Sequence, residues 1–228
     1  MRGVERVGAV IAAAGSSQRM AGVDKILADL DGAPVLSHVI DVFDRCGVID
    51  QVVVVLSAHN VRAGTELLAE HGWTKVTDIC EGGLRRQDSV TNGLARLKNC
   101  TWVVIHDGAR PMVTGDLIEQ GLDAASETGA AIAAVPVTDT IKVVGANMLV
   151  QGTPPRQSLW SVQTPQVFRF DVIQDAYNQT KFEVTDDSTA VERLGHKVKI
   201  YTGSYDNMKI TTPDDLAVAG VLWRKRVR

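Results

Sequence analysis

Val7-Gly8-Ala9-Val10-Ile11-Ala12-Ala13-Ala14-Gly15-Ser16-Ser17, followed by Gln18-Arg19-Met20 and then Lys25, is the stretch from which the fold is read. Val7 to Ala12 is apolar without period-two alternation, the pattern of a strand buried on both faces. Small residues follow, so a ligand can approach the backbone N–H groups closely, as anions do in amide nests and at helix N-termini. The two cations that come next, Arg19 and Lys25, suit a triphosphate. The first turn after the first strand is the usual phosphate position in an α/β sheet; a solvated loop with basic neighbours is the alternative. Two familiar motifs are absent. No G-x-x-x-x-G-K-[ST] occurs, and Ser17 stands where the second glycine of G-x-G-x-x-G belongs, which argues against a P-loop NTPase and a dinucleotide dehydrogenase.

The 228 residues are enough for one sizeable core. No apolar run is long enough to span a bilayer, and Met1-Arg2-Gly3-Val4-Glu5-Arg6 is too short and too charged for a secretory signal. Cys46, Cys80 and Cys100 are odd in number and have no nearby His, as expected of reduced thiols in a cytoplasmic protein rather than a zinc site. A net charge of −3 gives no reason to expect nucleic acid. The basic tail from Arg224 to Arg228 suits the end of a last helix.

Periodicity predicts helices at 34–46, 61–71, 89–97, 117–126, 170–178, 186–194 and 213–223. Strands are predicted at 51–56, 75–80, 102–105, 130–135 and 197–202. Gly47 and Gly72 close two of the helices, and Thr212 with Pro213 opens the last. Strands alternating with helices imply right-handed crossovers: an α/β, Rossmann-like, mostly parallel twisted sheet with helices on both faces. The regularity breaks at Pro136. Thr140–Val144 and Met148–Gly152 around Gly145-Ala146-Asn147 read as a hairpin. An isolated ribbon is marginal in water, so a second subunit is expected to cover it. The expected organisation is one domain, 1–228, with 137–160 as a protruding arm.

Ligands of parallel sheets bind beyond the carboxyl ends of the strands, where Gly15–Lys25, Gly82–Ser89 and His106–Pro111 fall. Gly82-Gly83 with Asp88-Ser89 exposes backbone groups to a flat base, or is simply a glycine turn with a cap. Asp107 follows an apolar run and suits Mg²⁺, which takes few protein carboxylates plus phosphate oxygens; a turn or capping role is the alternative. His106 is expected to pack, and Lys142 to lie on a solvated hairpin face.

These segments, with Asp139-Thr140-Ile141-Lys142, Thr164-Pro165-Gln166, Thr185-Asp186-Asp187 and Asn207-Met208-Lys209-Ile210-Thr211, resemble the 2-C-methyl-D-erythritol 4-phosphate cytidylyltransferase family in order and spacing along essentially the whole chain. The resemblance implies transfer of a cytidylyl group from CTP to 2-C-methyl-D-erythritol 4-phosphate, giving 4-diphosphocytidyl-2-C-methyl-D-erythritol and pyrophosphate, in the non-mevalonate isoprenoid pathway. It implies that Arg19, Lys25 and Lys209 act on the triphosphate and that Asp107 holds Mg²⁺. The nucleotide is expected against Ala13, Ala14, Gly15, Ser16, Gly82, Gly83, Ser89 and Gly108. Arg110, Thr140, Arg156, Thr164 and Thr185 are the expected polyol-phosphate set. A homodimer is implied, in which the arm carries Thr140 and Arg156 into the partner's site. Thr185 as a helix cap and Thr164 as a purely structural residue before Pro165 are the alternatives.

The sequence departs from the family pattern at Ala12, Ser17, Leu84 and Gly108, and at Asp24, where a proline usually precedes the lysine. Asp24 sets a negative charge beside a phosphate-binding cation. Competing functions are a ribitol 5-phosphate cytidylyltransferase, a CTP-binding protein without chemistry, and a uridylyl- or guanylyltransferase.

Overall fold

The computed structural model describes residues 5–17, 19–20, 22–180 and 183–226. Gln18 of the first loop and Val227-Arg228 of the basic tail lie outside them. The chain begins with β1 (Val7–Ala13), a small ribbon of β2 (Asp29–Leu30) and β3 (Ala33–Pro34), α1 (Val35–Arg45), β4 (Gln51–Leu56), α2 (Val61–His71) and β5 (Val76–Glu81). It continues with α3 (Arg86–Leu94), β6 (Trp102–Asp107), α4 (Gly115–Thr128), β7 (Ala130–Pro136), and the arm strands β8 (Val143–Val144) and β9 (Val150–Gly152). Last come β10 (Trp160–Arg169), α5 (Phe170–Gln179), α6 (Asp187–Arg193), β11 (Lys199–Thr202) and α7 (Pro213–Arg226).

Seven strands form one sheet in the order β11-β7-β10-β6-β1-β4-β5. All neighbouring pairs are parallel except those made by β10, which runs against both β6 and β7. The unbroken apolar runs are explained by two cores. Ala9, Ile11, Val52, Val54 and Val104 pack on one face with α1 and α4. Val10, Val53, Val55, Val103 and Ile105 face the other way, against α3, α5 and α6. Alternate residues therefore serve opposite faces, and neither face can be polar.

The local chemistry sets the boundaries. Gly72 ends α2 with φ 66°, in the left-handed region that suits glycine. At α7, the Asp215 N–H donates to Thr212 Oγ1 (3.3 Å) and the Thr212 N–H to Asp215 Oδ2 (2.8 Å), a reciprocal cap.

Of the differences from the sequence expectation, three bear on the working edge of the sheet. Helix α3 begins at Arg86 rather than 89, because the Asp88 carboxylate accepts the Arg85 N–H (3.1 Å) and nucleates the turn earlier. Strand β6 runs on through His106 and Asp107, pairing with Ile11 and Ala12 of β1. Strand β10 is missing from the expectation because Pro165 lies inside it. The ladder accommodates that proline by a register shift between Val162 and Gln166. The arm forms the expected hairpin, shorter than anticipated, and Val143, Val144, Met148, Leu149 and Val150 on it are exposed.

Candidate functional site

Two hollows open at the carboxyl edge of the parallel strands. A cleft of about 300 Å³ lies between the β1 loop and the Gly83–Ser89 turn. A wider basin of about 590 Å³ lies between β10 and the start of α6. Arg86, Asp107 and Lys209 line both, so the hollows meet at three charged side chains.

Each half is built by local sequence. Ala13, Ala14, Gly15 and Ser16 form one wall of the cleft, with Gly83, Leu84 and Ser89 among the residues opposite. Gly82 is required by packing: a Cβ there would collide with Ala14 and Ser89. Gly108 likewise lays its bare Cα on Ala13, where a Cβ would sit 2.8 Å from the alanine methyl. Neither Gly82 nor Gly108 lines the cleft; both bring its walls together. The Ser89 hydroxyl accepts the Gly83 N–H (3.1 Å) and donates to the Arg85 carbonyl (3.2 Å), holding the turn open beneath Leu84. Lys25 enters the cleft with Nζ 3.4 Å from the place where a Cβ on Gly15 would be. Burial pulls its pKa down, the positive charges of Lys209 and Arg19 add to that, and Asp24 and Asp107 oppose it. Arg19 is exposed on the turn closed by the Met20 N–H on the Ser17 carbonyl, outside the cleft wall but electrically close to Lys25.

Asp107 is the centre. It is 6% exposed and takes Lys209 Nζ (2.9 Å) and Arg110 Nε (3.3 Å) on Oδ2, with Arg86 3.6 Å from Oδ1. Burial alone would raise its pKa. Arg86, Lys209 and Arg110 overcome that and hold the carboxyl well below the usual range. The strand end is pinned from beneath. The Asp107 N–H donates to Thr164 Oγ1 (3.0 Å), which bonds His106 Nδ1 (3.0 Å), while His106 Nε2 lies 3.2 Å from the Arg110 carbonyl. A carbonyl only accepts, so Nε2 carries the proton and Thr164 donates to Nδ1. Burial lowers the His106 pKa to about 4, so the ring is neutral. His106 packs, as expected, and in doing so orients both neighbours of the site.

The basin receives Arg110, Thr164 and Thr185. Arg110 is fixed by its Nη1 bond to the Asn207 carbonyl (2.8 Å), two residues before Lys209. Thr185 does not cap α6. Asp186 does, accepting the Thr189 N–H at 3.1 Å, so that alternative for Thr185 falls. Thr140 and Arg156 stay on the arm, exposed and outside both hollows, with Arg156 Nη1 donating to the Thr138 carbonyl (2.7 Å).

Arg86 is the functional side chain that sequence reasoning did not single out. Its guanidinium lies 2.6 Å from the fully buried Asp187, which also accepts from the Tyr177 hydroxyl. A cation at the first turn of a helix that follows two glycines was the available signal. Its carboxylate partner comes from the far half of the chain.

As a metal site, Asp107 offers one carboxylate whose Oδ1 has no cation within hydrogen-bonding distance. No cluster of three or more acidic, His or Cys side chains gathers among the described residues. That donor set fits a hard cation completed by phosphate oxygens and water, as Mg²⁺ is. No described helix is long and apolar enough to cross a membrane.

Residues 7–225 match the family model described as IspD: 2-C-methyl-D-erythritol 4-phosphate cytidylyltransferase. A Dehalococcoides mccartyi (strain 195) protein of that name is 52% identical over 221 residues, 97% of each chain. One from Alkaliphilus oremlandii is 45% identical over 99% of this chain and 98% of its own. Among solved structures, the 4-diphosphocytidyl-2C-methyl-D-erythritol synthase of Anaerococcus prevotii superposes with TM-score 0.85 at 30% identity, covering 96% and 99% of the two chains. The Thermus thermophilus cytidylyltransferase gives 0.77 at 30% identity, over 95% and 98%.

Proposed function

The chain belongs to the 2-C-methyl-D-erythritol 4-phosphate cytidylyltransferase family, and from that membership we propose that it transfers CMP from CTP to 2-C-methyl-D-erythritol 4-phosphate. The products are 4-diphosphocytidyl-2-C-methyl-D-erythritol and pyrophosphate, in the non-mevalonate isoprenoid pathway. The observation that carries this reading beyond family membership is the junction of Arg86, Asp107 and Lys209 between two hollows. A transfer between two phosphates needs two adjoining seats with positive charge where they touch.

CTP takes the cleft, with cytosine toward Ala13, Ala14, Gly83 and Ser89 and the triphosphate over Gly15 and Ser16 toward Lys25. The polyol phosphate takes the basin, with Arg110, Thr164 and Thr185 around it. An acceptor phosphate oxygen forms a bond to the α-phosphorus as the bond to the bridging oxygen breaks, and the electron pair leaves on pyrophosphate. The attacking phosphate is already anionic, so no general base is required. Lys25 and Lys209, with Arg19 swinging in from its turn, stabilise the charge that builds in flight. Asp107 is the residue to hold Mg²⁺, which supplies charge neutralisation at the phosphates.

The protein works in the cytoplasm as one nucleotidyltransferase domain that pairs with a second copy through the arm. The exposed apolar residues of the arm support the pairing, and Thr140 and Arg156 then complete the partner's basin. The deciding experiment measures pyrophosphate release with CTP and Mg²⁺ against two acceptors. Methylerythritol phosphate should be turned over far faster than ribitol 5-phosphate; the reverse order rejects the acceptor assignment.

A further inference from the structure

Asp24 stands directly before the lysine of the cleft, where a free carboxylate would repel a triphosphate. The structure turns it away. Asp24 does not line the cleft; its side chain is 22% exposed, and of its side-chain partners Ser17, His59 and Asn60 lie outside the cleft wall as well. Oδ1 accepts the Ser17 hydroxyl (3.1 Å) and the Ile26 N–H (3.2 Å). Oδ2 accepts the Asn60 side-chain amide (2.5 Å), with His59 Nε2 at 3.3 Å. Ser17 Oγ in turn accepts the Lys25 N–H (3.2 Å). The carboxylate thus ties both ends of the Ser17–Ile26 loop to each other, and the pair to Asn60, which is 4% exposed at the start of α2.

Ser17 and Asp24 stand at opposite ends of the loop and bond to one another. We propose that Asp24 is a positioning residue which, through Ser17 and the backbone around Lys25, clamps the loop to Asn60 and holds the Lys25 amino group over Gly15. The clamp restricts the backbone before the lysine, as a proline there would. Loop order is supplied in advance, so the lysine meets the α-phosphate without a search. The inference rests on the reading that Lys25 acts on the phosphates.

Charge and clamping predict opposite signs. If Asp24 mattered only as a negative charge near CTP, Asp24→Ala would tighten CTP binding and leave or raise turnover. As a clamp, its removal should lower kcat at least tenfold, with the KM for the acceptor within twofold of wild type and the melting temperature little changed. In a Lys25→Ala background, single-turnover rates should show no further loss from Asp24→Ala. The double exchange Asp24→Asn with Asn60→Asp reverses donor and acceptor in the central bond, and should hold turnover to within about threefold of wild type where Asp24→Ala with Asn60→Asp, which has no such bond to make, does not.

A gain in CTP affinity with unchanged turnover, an equal further loss without Lys25, or failure of the exchange to hold turnover each overturns the proposal. A fully active Lys25→Ala removes the underlying reading of the lysine and the clamp with it. A crippled Lys25→Ala beside an unaffected Asp24→Ala removes the clamp alone.

Discussion

His106 is neutral because it is fully buried, and its two nitrogens are satisfied by Thr164 and by the Arg110 carbonyl. Its pKa is about 4 in the folded chain against a reference of 6.5, so between those values only the unfolded chain binds the proton. The sign follows: this contribution to stability is complete above pH 6.5 and is lost as pH falls toward 4, amounting to about 3 kcal/mol. Urea midpoints should fall between pH 7 and pH 4.5, with a shallower slope for His106→Gln. At the junction, Lys25→Ala or Arg19→Ala should slow turnover by about 3 kcal/mol or more, measured as pyrophosphate release; near-normal rates would take that residue out of the mechanism. Asp187→Ala strips Arg86 of its closest carboxylate and should destabilise the fold by about 3 kcal/mol, read by chemical denaturation. The places of Lys25 and Asp107 were legible because the apolar runs of β1 and β6 mark the sheet edge at which both stand. Arg86 was not, because its meaning depends on Asp187 and Tyr177, which only tertiary folding brings to it.

Helices and strands whose ends carry their own chemistry were legible to within a residue or two. Gly72 and the Thr212–Asp215 reciprocal cap mark α2 and α7 without tertiary help. Strand β10 was hidden because Pro165 interrupts it and the two strands flanking it supply the pairing that overrides the local signal. Helix α3 was read late because Asp88 looks like a cap from the sequence, whereas it sits inside the first turn and reaches back to the Arg85 N–H. This helix lies close on the sheet at Gly93, where a Cβ would come within 2.6 Å of Val10 and 2.9 Å of Val55. Gly93→Ala should cost about 1–3 kcal/mol by overpacking. The same push displaces Arg86 at the front of the helix, so CTP affinity should weaken along with the melting temperature.

Across the whole molecule, the parallel arrangement of strands followed from their alternation with helices, and the arm from its Gly/Asn turn. The two-hollow design did not follow, since it depends on β10 entering the sheet against the grain between β6 and β7. Replacing 139–157 by a short turn should leave CTP binding near wild type while raising the acceptor KM and yielding a monomer, checked by nucleotide titration and sedimentation. A dimer that survives the deletion would place the interface elsewhere.

An antiparallel strand starts where parallel ones finish, so β10 delivers Thr164 to the working edge with its opening half, straight from the arm. In the proposed seating the donor side lies on the end of β1, the turn after β5 and the front of α3, and the acceptor side largely on β10 and the approach to α6, completed by a partner's arm. The linings of the two hollows come from largely separate tracts of chain, and among the described residues they share only Arg86, Asp107 and Lys209. If the seating holds, a stretch grafted from the arm through α6 should retarget the enzyme to a new alcohol phosphate while its nucleotide preference is inherited unchanged.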